Sequence, residues 1–222
     1  MTEQVGYAGQ LMEFKHGASI PNRTIVTAPY EPTSCSVASK SGDLAVAGNE
    51  IRGSYGTALL VYRKAKGSPT IYKAPPTMKS VWSTAYGAKG ENVLLGFKNC
   101  NTYYYSCYNF NFRPPGGSIL RSLRVPGVHH YSLGTDVGWD GTYLVALARE
   151  LARYQVRRGK AREVGVVLNT EGGAYQFCLV PKYGQVVVSN GYVYIYDYPS
   201  GEYARGLSIE NAYGLAFSLA QS

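Results

Sequence analysis

The clearest reactive groups in the sequence are His129 and His130, two of its three histidines. An imidazole changes protonation near neutral pH and can serve as a general base or as a metal ligand. Adjacent residues of a strand point to opposite faces, so these two rings would not readily bind one ion. The pair therefore indicates a packing or loop role first, and a general base or metal ligand second.

Two carboxylates, Glu50 and Glu150, each follow a run of small and apolar residues. Carboxylates that meet across a cleft can divide acid and base work, because different environments separate their pKa values. Loop carboxylates are more often simply solvated, and that is the favoured interpretation here. If the protein is an enzyme, its candidate catalytic residues are Glu50, His130 and Glu150.

An internal repeat positions these residues. A glycine-containing turn followed by an apolar strand occurs at Gly42, Gly90, Gly141 and Gly184. Residues 32–75 show the whole unit: a strand of small residues, the turn, two strongly apolar strands, and a Thr-Ile-Tyr strand that ends at proline. This order predicts a four-stranded antiparallel meander.

Each end of the chain carries part of one more unit. Residues 3–8, 10–15 and 23–29 read as second, third and fourth strands, and residues 211–218 align with the first strand at 173–180. The sequence therefore predicts an all-β, single-domain protein over residues 1–222: a five-bladed β-propeller of four-stranded antiparallel blades, closed by a blade shared between the N- and C-termini. The blades are expected at residues 211–222 with 1–30, 31–76, 77–127, 128–172 and 173–210.

Residues 144–161 disagree most with this prediction, because they are rich in helix formers. The repeat register instead divides them into a strand at 143–148, a loop at 149–152 and a strand at 153–158. We favour the strands, since tertiary context routinely overrides local propensity.

Three segments resemble NHL-type propeller repeats and the repeats of virginiamycin B lyase-like and gluconolactonase-like proteins. They are Tyr-Pro-Ser-Gly at 198–201, Tyr-Gly-Leu-Ala-Phe-Ser at 213–218 and Ser-Gly-Asp-Leu-Ala-Val at 41–46. The resemblance implies lyase, lactonase or binding functions. The best-known relatives have six or seven blades, and their catalytic histidines and acids cannot be matched to particular positions in this chain.

We call the side of the propeller that carries the connections before the first strands and between the second and third strands the loop face, and the opposite side the turn face. Connections of this kind commonly carry function. The residues predicted to bind a ligand on the loop face are Asn49, Glu50, Asn99, His129, His130, Arg149, Glu150 and Asn190. The same register places Glu31, Arg52, Lys98, Asn101, Glu171 and Glu210 there. The acidic residues Asp43, Glu91 and Asp140 fall in the turns of the turn face, where an acid beside glycine is ordinary turn chemistry.

The four cysteines do not have zinc-ligand spacing. Cys35 and Cys178 occupy matching innermost-strand positions of nonadjacent blades, so we expect them to be too far apart for a disulfide. A disulfide bond between Cys100 and Cys107 could link the ends of a loop between two strands, which would imply an oxidising compartment. Localisation is otherwise undetermined. Secretion is weakly favoured, although residues 1–7 do not resemble a signal peptide.

The formal net charge is +8, with basic residues concentrated between Arg149 and Arg162. Basic charge beside many tyrosines permits binding to nucleic acid or acidic glycans, but alternating arginines on a strand more often form a solubilising outer face. Nucleic acid is therefore not the expected partner. The longest apolar runs fall far short of the roughly 20 residues that a membrane helix needs.

The sequence favours a noncatalytic ligand-binding or protein-interaction propeller over an enzyme. The expected partner is a small molecule, a glycan or a protein at the loop face of a monomer, with no cofactor. The alternative is a metal-assisted lyase or lactonase, which would require a divalent cation.

Circular closure can be tested by truncation. Removal of residues 211–222 should expose apolar sheet faces and remove ladder hydrogen bonds, so the melting temperature should fall by several degrees, to be measured by calorimetry. A truncated chain that melts with the full-length protein would contradict closure.

Overall fold

The computed structural model describes residues 9–13, 20–27, 29–38, 40–51, 56–87, 89–98, 107–126, 136–147, 150–170, 174 and 176–212. The regular elements in these ranges are strands and two three-residue 3-10 turns, Arg63–Ala65 and Pro181–Tyr183. Nothing helical in the described part of the chain is long and apolar enough to cross a bilayer.

Among the eighteen strands in the described ranges, sixteen form four sheets of four strands, and each sheet is an antiparallel meander in chain order. Blade 1 comprises β3 (Tyr30–Val37), β4 (Leu44–Glu50), β5 (Thr57–Tyr62) and β6 (Thr70–Lys73). Blade 2 comprises β7 (Met78–Tyr86), β8 (Asn92–Lys98), β9 (Cys107–Arg113) and β10 (Arg121–Leu123). Blade 3 comprises β11 (Asp136–Trp139), β12 (Leu144–Leu147), β13 (Glu150–Arg157) and β14 (Lys160–Asn169). Blade 4 comprises β15 (Gln176–Val180), β16 (Gln185–Ser189), β17 (Gly191–Asp197) and β18 (Tyr203–Ala212).

The first strands of neighbouring blades, β3, β7, β11 and β15, contact one another in sequence. Because these inner strands line a common axis and each sheet packs on the next, the chain is a β-propeller of four-stranded antiparallel blades. The four glycines that mark the repeat lie between the first and second strands of their blades, and all have a positive φ (Gly42 71°, Gly90 90°, Gly141 99°, Gly184 59°). A non-glycine residue rarely adopts that conformation, so each turn requires its glycine. The glycine that recurs in the sequence therefore marks the same turn in each blade.

The expected five blades appear as four complete blades and one small sheet. That sheet pairs β1 (Gln10–Glu13) with β2 (Arg23–Val26), which confirms two of the strands predicted near the N-terminus. The strands expected to close the ring, residues 3–8 and most of 211–218, lie outside the described residues. Asn211 and Ala212 belong to the outermost strand β18, where Ala212 pairs with Gly191, so the blade boundary predicted after residue 210 is wrong.

The helix-like segment forms strands, as the repeat register predicts. Leu144–Leu147 pairs with residues 151–154 of β13 in an antiparallel ladder. The predicted loop at 149–152 is too long, however, because β13 already begins at Glu150. Apolar residues on both faces of these strands are buried between neighbouring blades, and this burial outweighs their helix propensity.

Apolar clusters fill the spaces between adjacent blades. Leu59 of blade 1 packs with Leu94 of blade 2, and both side chains are completely buried. Leu95 packs with Leu144 between blades 2 and 3, and Leu151 with Val186 between blades 3 and 4. Each fully buried Leu or Val contributes roughly 1.5–3 kcal/mol relative to an exposed one. Each apolar sheet face is therefore stable only when it packs against the neighbouring blade.

Polar clasps join two pairs of blades at the turn face. The Tyr198 hydroxyl of blade 4 donates to Asp140 Oδ2 of blade 3 at 2.5 Å, and the Tyr86 hydroxyl of blade 2 donates to Asp43 Oδ2 of blade 1 at 3.3 Å. Asp140 also accepts the backbone N–H groups of Thr142 and Tyr143, which is the ordinary turn chemistry expected of it. No pattern in the sequence predicts the tyrosine partners.

Asp140 is held as a carboxylate. Burial favours its neutral form, but hydrogen bonds from Tyr198, Tyr143 and Thr142, together with the charge of Arg153, outweigh burial and lower its pKa below the usual range. The Arg153 Nε lies 3.1 Å from Asp140 Oδ2, and the Asp140 side chain is only 5% exposed. A group with a lowered folded pKa stabilises the protein above its unfolded pKa and loses that contribution as the pH falls through the folded value.

The clasp predicts a stability loss for Tyr198→Phe. Removing one hydrogen bond to a charged, buried group should lower the free energy of unfolding by about 1.5–3 kcal/mol at pH 7, measured by urea denaturation. The loss should shrink below about pH 4, where Asp140 is protonated in the unfolded chain and then in the folded one. Tyr203→Phe is the matched control, since Tyr203 is 63% exposed. Equal stabilities for the two variants would show that the clasp contributes nothing.

Candidate functional site

A cavity of about 490 Å³ lies on the propeller axis, between the four inner strands. We call it the channel. Exposed positions alternate along β3 at Glu31, Thr33, Cys35 and Val37, because successive strand residues point to opposite faces. Thr33 and Cys35 line the channel, and the inner strands of the other blades add residues that include Trp82, Asp136, Gln176 and Cys178.

Trp82 is placed by an irregularity in blade 2. Val81 pairs with Gly96 and Ser83 with Leu95, so the residue between them has no partner in the ladder. A bulge of this kind bends the strand and re-aims a side chain. The indole is 48% exposed and meets the Phe97 ring edge-on, with 5.2 Å between centroids. A large aromatic surface is thus presented to the channel.

Asp136 is the carboxylate of the channel. Its Oδ1 accepts hydrogen bonds from Ser83 Oγ at 2.5 Å and from the Val137 N–H at 2.8 Å, and its Oδ2 accepts the Phe177 N–H at 3.3 Å. These contacts connect three inner strands, β7, β11 and β15. Burial raises the pKa of Asp136 to about 6, although the three hydrogen bonds act in the opposite direction. Sequence reasoning missed this residue, since an aspartate next to Val-Gly-Trp has no motif around it.

Three of the predicted loop-face residues lie at the same end of their blades. Glu50 ends β4, Glu150 begins β13, and Asn190 lies between β16 and β17. Asp136 pairs with Leu147 and Gln176 pairs with Ser189, so both lie at the loop-face ends of their inner strands. We call this end of the channel the mouth.

Asn49 has a structural contact. Its Oδ1 accepts the Val81 N–H at 2.8 Å and its Nδ2 donates to the Val81 carbonyl at 3.4 Å. The amide thus joins blade 1 to the inner strand of blade 2. Glu50 faces Tyr30 across the ladder, and its charge adds to burial in raising the pKa of the Tyr30 hydroxyl.

The remaining predicted site residues, Asn99, His129, His130 and Arg149, lie outside the described residues. Glu50 and Glu150 fall on blades 1 and 3, which are nonadjacent, as expected. Across the described ranges, no group of three or more His, Cys, Asp or Glu side chains could hold a metal ion.

Two cysteines, Cys35 and Cys178, line the channel. Cys35 and Cys178 are not joined by a disulfide, and they lie on the inner strands of blades 1 and 4. Cys35 presents surface to the channel but is closely surrounded by protein atoms, and this burial raises the pKa of its thiol. A raised pKa makes a thiol a poor nucleophile at neutral pH. Cys100 and the side chain of Cys107 lie outside the described part of the chain.

No family model matches the chain, and no curated protein matches it. Among solved structures, the chain is similar to the crystal structure of the WD40 β-propeller domain of Doa1, with a TM-score of 0.49 and 8% sequence identity. The match covers 81% of this chain and 54% of that one, so the chain spans about half the length of the Doa1 structure. The assignment as a β-propeller rests on the strand pairing described above.

The raised pKa of Asp136 predicts a pH-dependent stability. Between about pH 4, the ordinary aspartate value, and pH 6 the folded chain binds more protons at this site than the unfolded chain, so the contribution of Asp136 falls as the pH rises. Urea denaturation of wild type and Asp136→Asn should therefore diverge by up to about 3 kcal/mol across this range, in favour of the variant at higher pH. Glu202→Gln, an exposed turn-face change, should follow wild type. A constant difference between wild type and Asp136→Asn would contradict the raised pKa.

Proposed function

We propose that the chain is a noncatalytic binding propeller that takes a small molecule, a glycan or a segment of a partner protein at the mouth of the channel. The observation that carries the proposal is the half-exposed indole of Trp82 in a cavity that also contains Thr33, Gln176 and one carboxylate. Binding sites typically combine apolar surface with a few directional polar groups. A volume of about 490 Å³ suits a small ligand or one inserted side chain.

The rim of the mouth would add specificity. Glu50, Glu150 and Asn190 lie at the loop-face ends of three different blades, so a ligand on the axis could be approached from several directions. Under this proposal Asn99, His129, His130 and Arg149 belong to the same rim, and Asn49 supports it from blade 1. Loops on a rigid sheet scaffold are well suited to this task, because they can vary without loss of the core.

The second candidate is a metal-assisted lyase or lactonase of the kind that the repeat resemblance implies. Its support is the placement of Glu50 and Glu150 on the loop face of nonadjacent blades. In this alternative His130 and the two glutamates would act around a divalent cation, which would stabilise charge as it develops on the substrate. Chelation would then abolish turnover, whereas binding by stacking and hydrogen bonds would survive it.

We also propose that the small N-terminal sheet is part of a fifth blade. Leu11 of β1 and Ile25 of β2 pack against a core cluster of blade 1 that contains Tyr30 and Leu44. A groove of about 650 Å³ lies between this sheet and blade 1. Strands contributed by both termini would complete the sheet and cover apolar surface at each end of the ring.

Ligand-observed NMR tests the binding proposal. Defined mixtures of amines, amino acids, carboxylic acids and monosaccharides are added to the wild-type protein and to Trp82→Ala, with and without EDTA. At least one compound class should bind wild type, and binding should weaken at least fivefold in Trp82→Ala and be unchanged by EDTA. Tyr183→Ala is the control, because Tyr183 is also an exposed aromatic residue but lies in the turn between β15 and β16.

Two results would contradict the proposal. If no compound class binds, or if Trp82→Ala binds as wild type does, the channel is not the site. If a lactone is opened by the wild-type protein and EDTA abolishes that activity, the enzyme alternative is favoured.

A further inference from the structure

The geometry points to a small organic cation, an ammonium compound, as the ligand of the channel mouth, held by the Asp136 carboxylate and the Trp82 ring. This inference rests on the proposed binding function and specifies its ligand class.

The charge of Asp136 is not neutralised by a neighbouring cation in the described part of the chain. The three donors that the described residues supply, the Ser83 hydroxyl and two backbone N–H groups, are neutral. Among the described residues the ion pairs are Arg23 with Glu13 and Arg153 with Asp140. A crowded carboxylate without a counter-charge is costly, and a cationic ligand would remove that cost.

Asp136 also has accepting capacity left. An ionised carboxylate offers about four lone-pair positions, and donors from the described residues occupy three of them. Asp136 lines the channel cavity. A cation can therefore be accommodated at the fourth position without breaking the contacts that join the inner strands, through an N–H hydrogen bond from a primary ammonium group or through charge alone from a quaternary one.

The second half of the site is aromatic. The indole face is the best side-chain surface for a cation, through attraction to its ring quadrupole. Trp82 and Asp136 lie on the inner strands of adjacent blades and line the same cavity. A carboxylate combined with an indole recognises an organic ammonium group better than a bare metal ion, because the ring contacts the apolar carbons around the charge.

The charges of the described residues favour a cation at the loop face. The exposed cations of the described connections and strand ends at the turn face are Lys40, Arg63, Lys64, Lys66, Lys89, Arg121, Arg157, Arg158, Lys160 and Lys182, and the carboxylates there are Asp43, Glu91, Asp140, Asp197 and Glu202. The described charged residues at the loop-face ends are Glu31, Glu50, Asp136, Glu150, Lys73 and Lys79. Glu31 also shares the exposed face of β3 with Thr33 and Cys35, at the mouth. Among the described residues, this asymmetry makes the loop face the less positive side.

The test compares charged and uncharged ligands of equal shape. Tetramethylammonium, n-butylammonium and choline are titrated into the wild-type protein by NMR and calorimetry, and choline is compared with its neutral isostere 3,3-dimethylbutan-1-ol. At pH 7.5 at least one ammonium compound should bind, and choline should bind at least tenfold more tightly than the isostere. This comparison needs no variant and does not depend on the folding of any mutant.

Variants of the two proposed contacts then show whether the Asp136 carboxylate and the Trp82 ring hold the cation. Asp136→Asn should weaken ammonium binding at least tenfold, and Trp82→Leu at least fivefold, because the leucine keeps apolar contact but has no ring quadrupole. Glu202→Gln is the matched control: it removes one exposed carboxylate on the turn face and should bind as wild type does.

Each contrary result has its own meaning. Equal affinities for choline and its isostere would overturn the inference, since apolar fit alone would then explain binding. If no ammonium compound binds but an acid or a sugar binds in a Trp82-dependent way, the ligand class is wrong and the binding propeller stands. If nothing binds from any mixture, both proposals fail.

Discussion

Each inner strand of the propeller has one edge without a strand partner in the described sheets, and its N–H groups need acceptors from the next blade. Side chains meet this need. Ser34 and Ser36 of β3 accept the N–H groups of Thr84 and Tyr86, and Asp136 of β11 accepts that of Phe177. Because these acceptors are short polar side chains of the inner strands, polar groups lie beside the channel before any ligand is considered.

The binding site we propose is thus built from groups that also hold the ring together. Asp136 connects three inner strands, and Asn49 fixes the backbone of Val81 from the neighbouring blade. A ligand that binds only the folded state at such a junction adds to its stability, by about 2.7 kcal/mol at a concentration one hundred times its Kd. Occupancy of the channel and cohesion of the blades are therefore coupled.

The sequence specified the fold better than the site. Glycines with a positive φ mark the first turn of each blade, and this local pattern revealed the repeat. The repeat register then predicted strands for β12 and β13, although their residues favour a helix. The residues that line the channel could not be predicted from the sequence, because β-bulges decide which residues face the axis. The ladder of β7 shifts at Trp82, and a shift of one residue moves a side chain to the opposite face. Asp136 depends on partners from two other blades, at Ser83 and Phe177, and no local pattern reports such long-range contacts.

The unpaired position of Trp82 in β7 also matters for how this scaffold could diversify. A residue outside the ladder can be exchanged without altering the pairing of Val81 with Gly96 or of Ser83 with Leu95. Its side chain is half exposed and packs mainly on the Phe97 ring, so the hydrophobic clusters between blades do not constrain its size. Under the proposed binding function, substitutions here would change ligand preference at little cost in folding, which makes residue 82 a natural starting point for evolving or engineering new specificities.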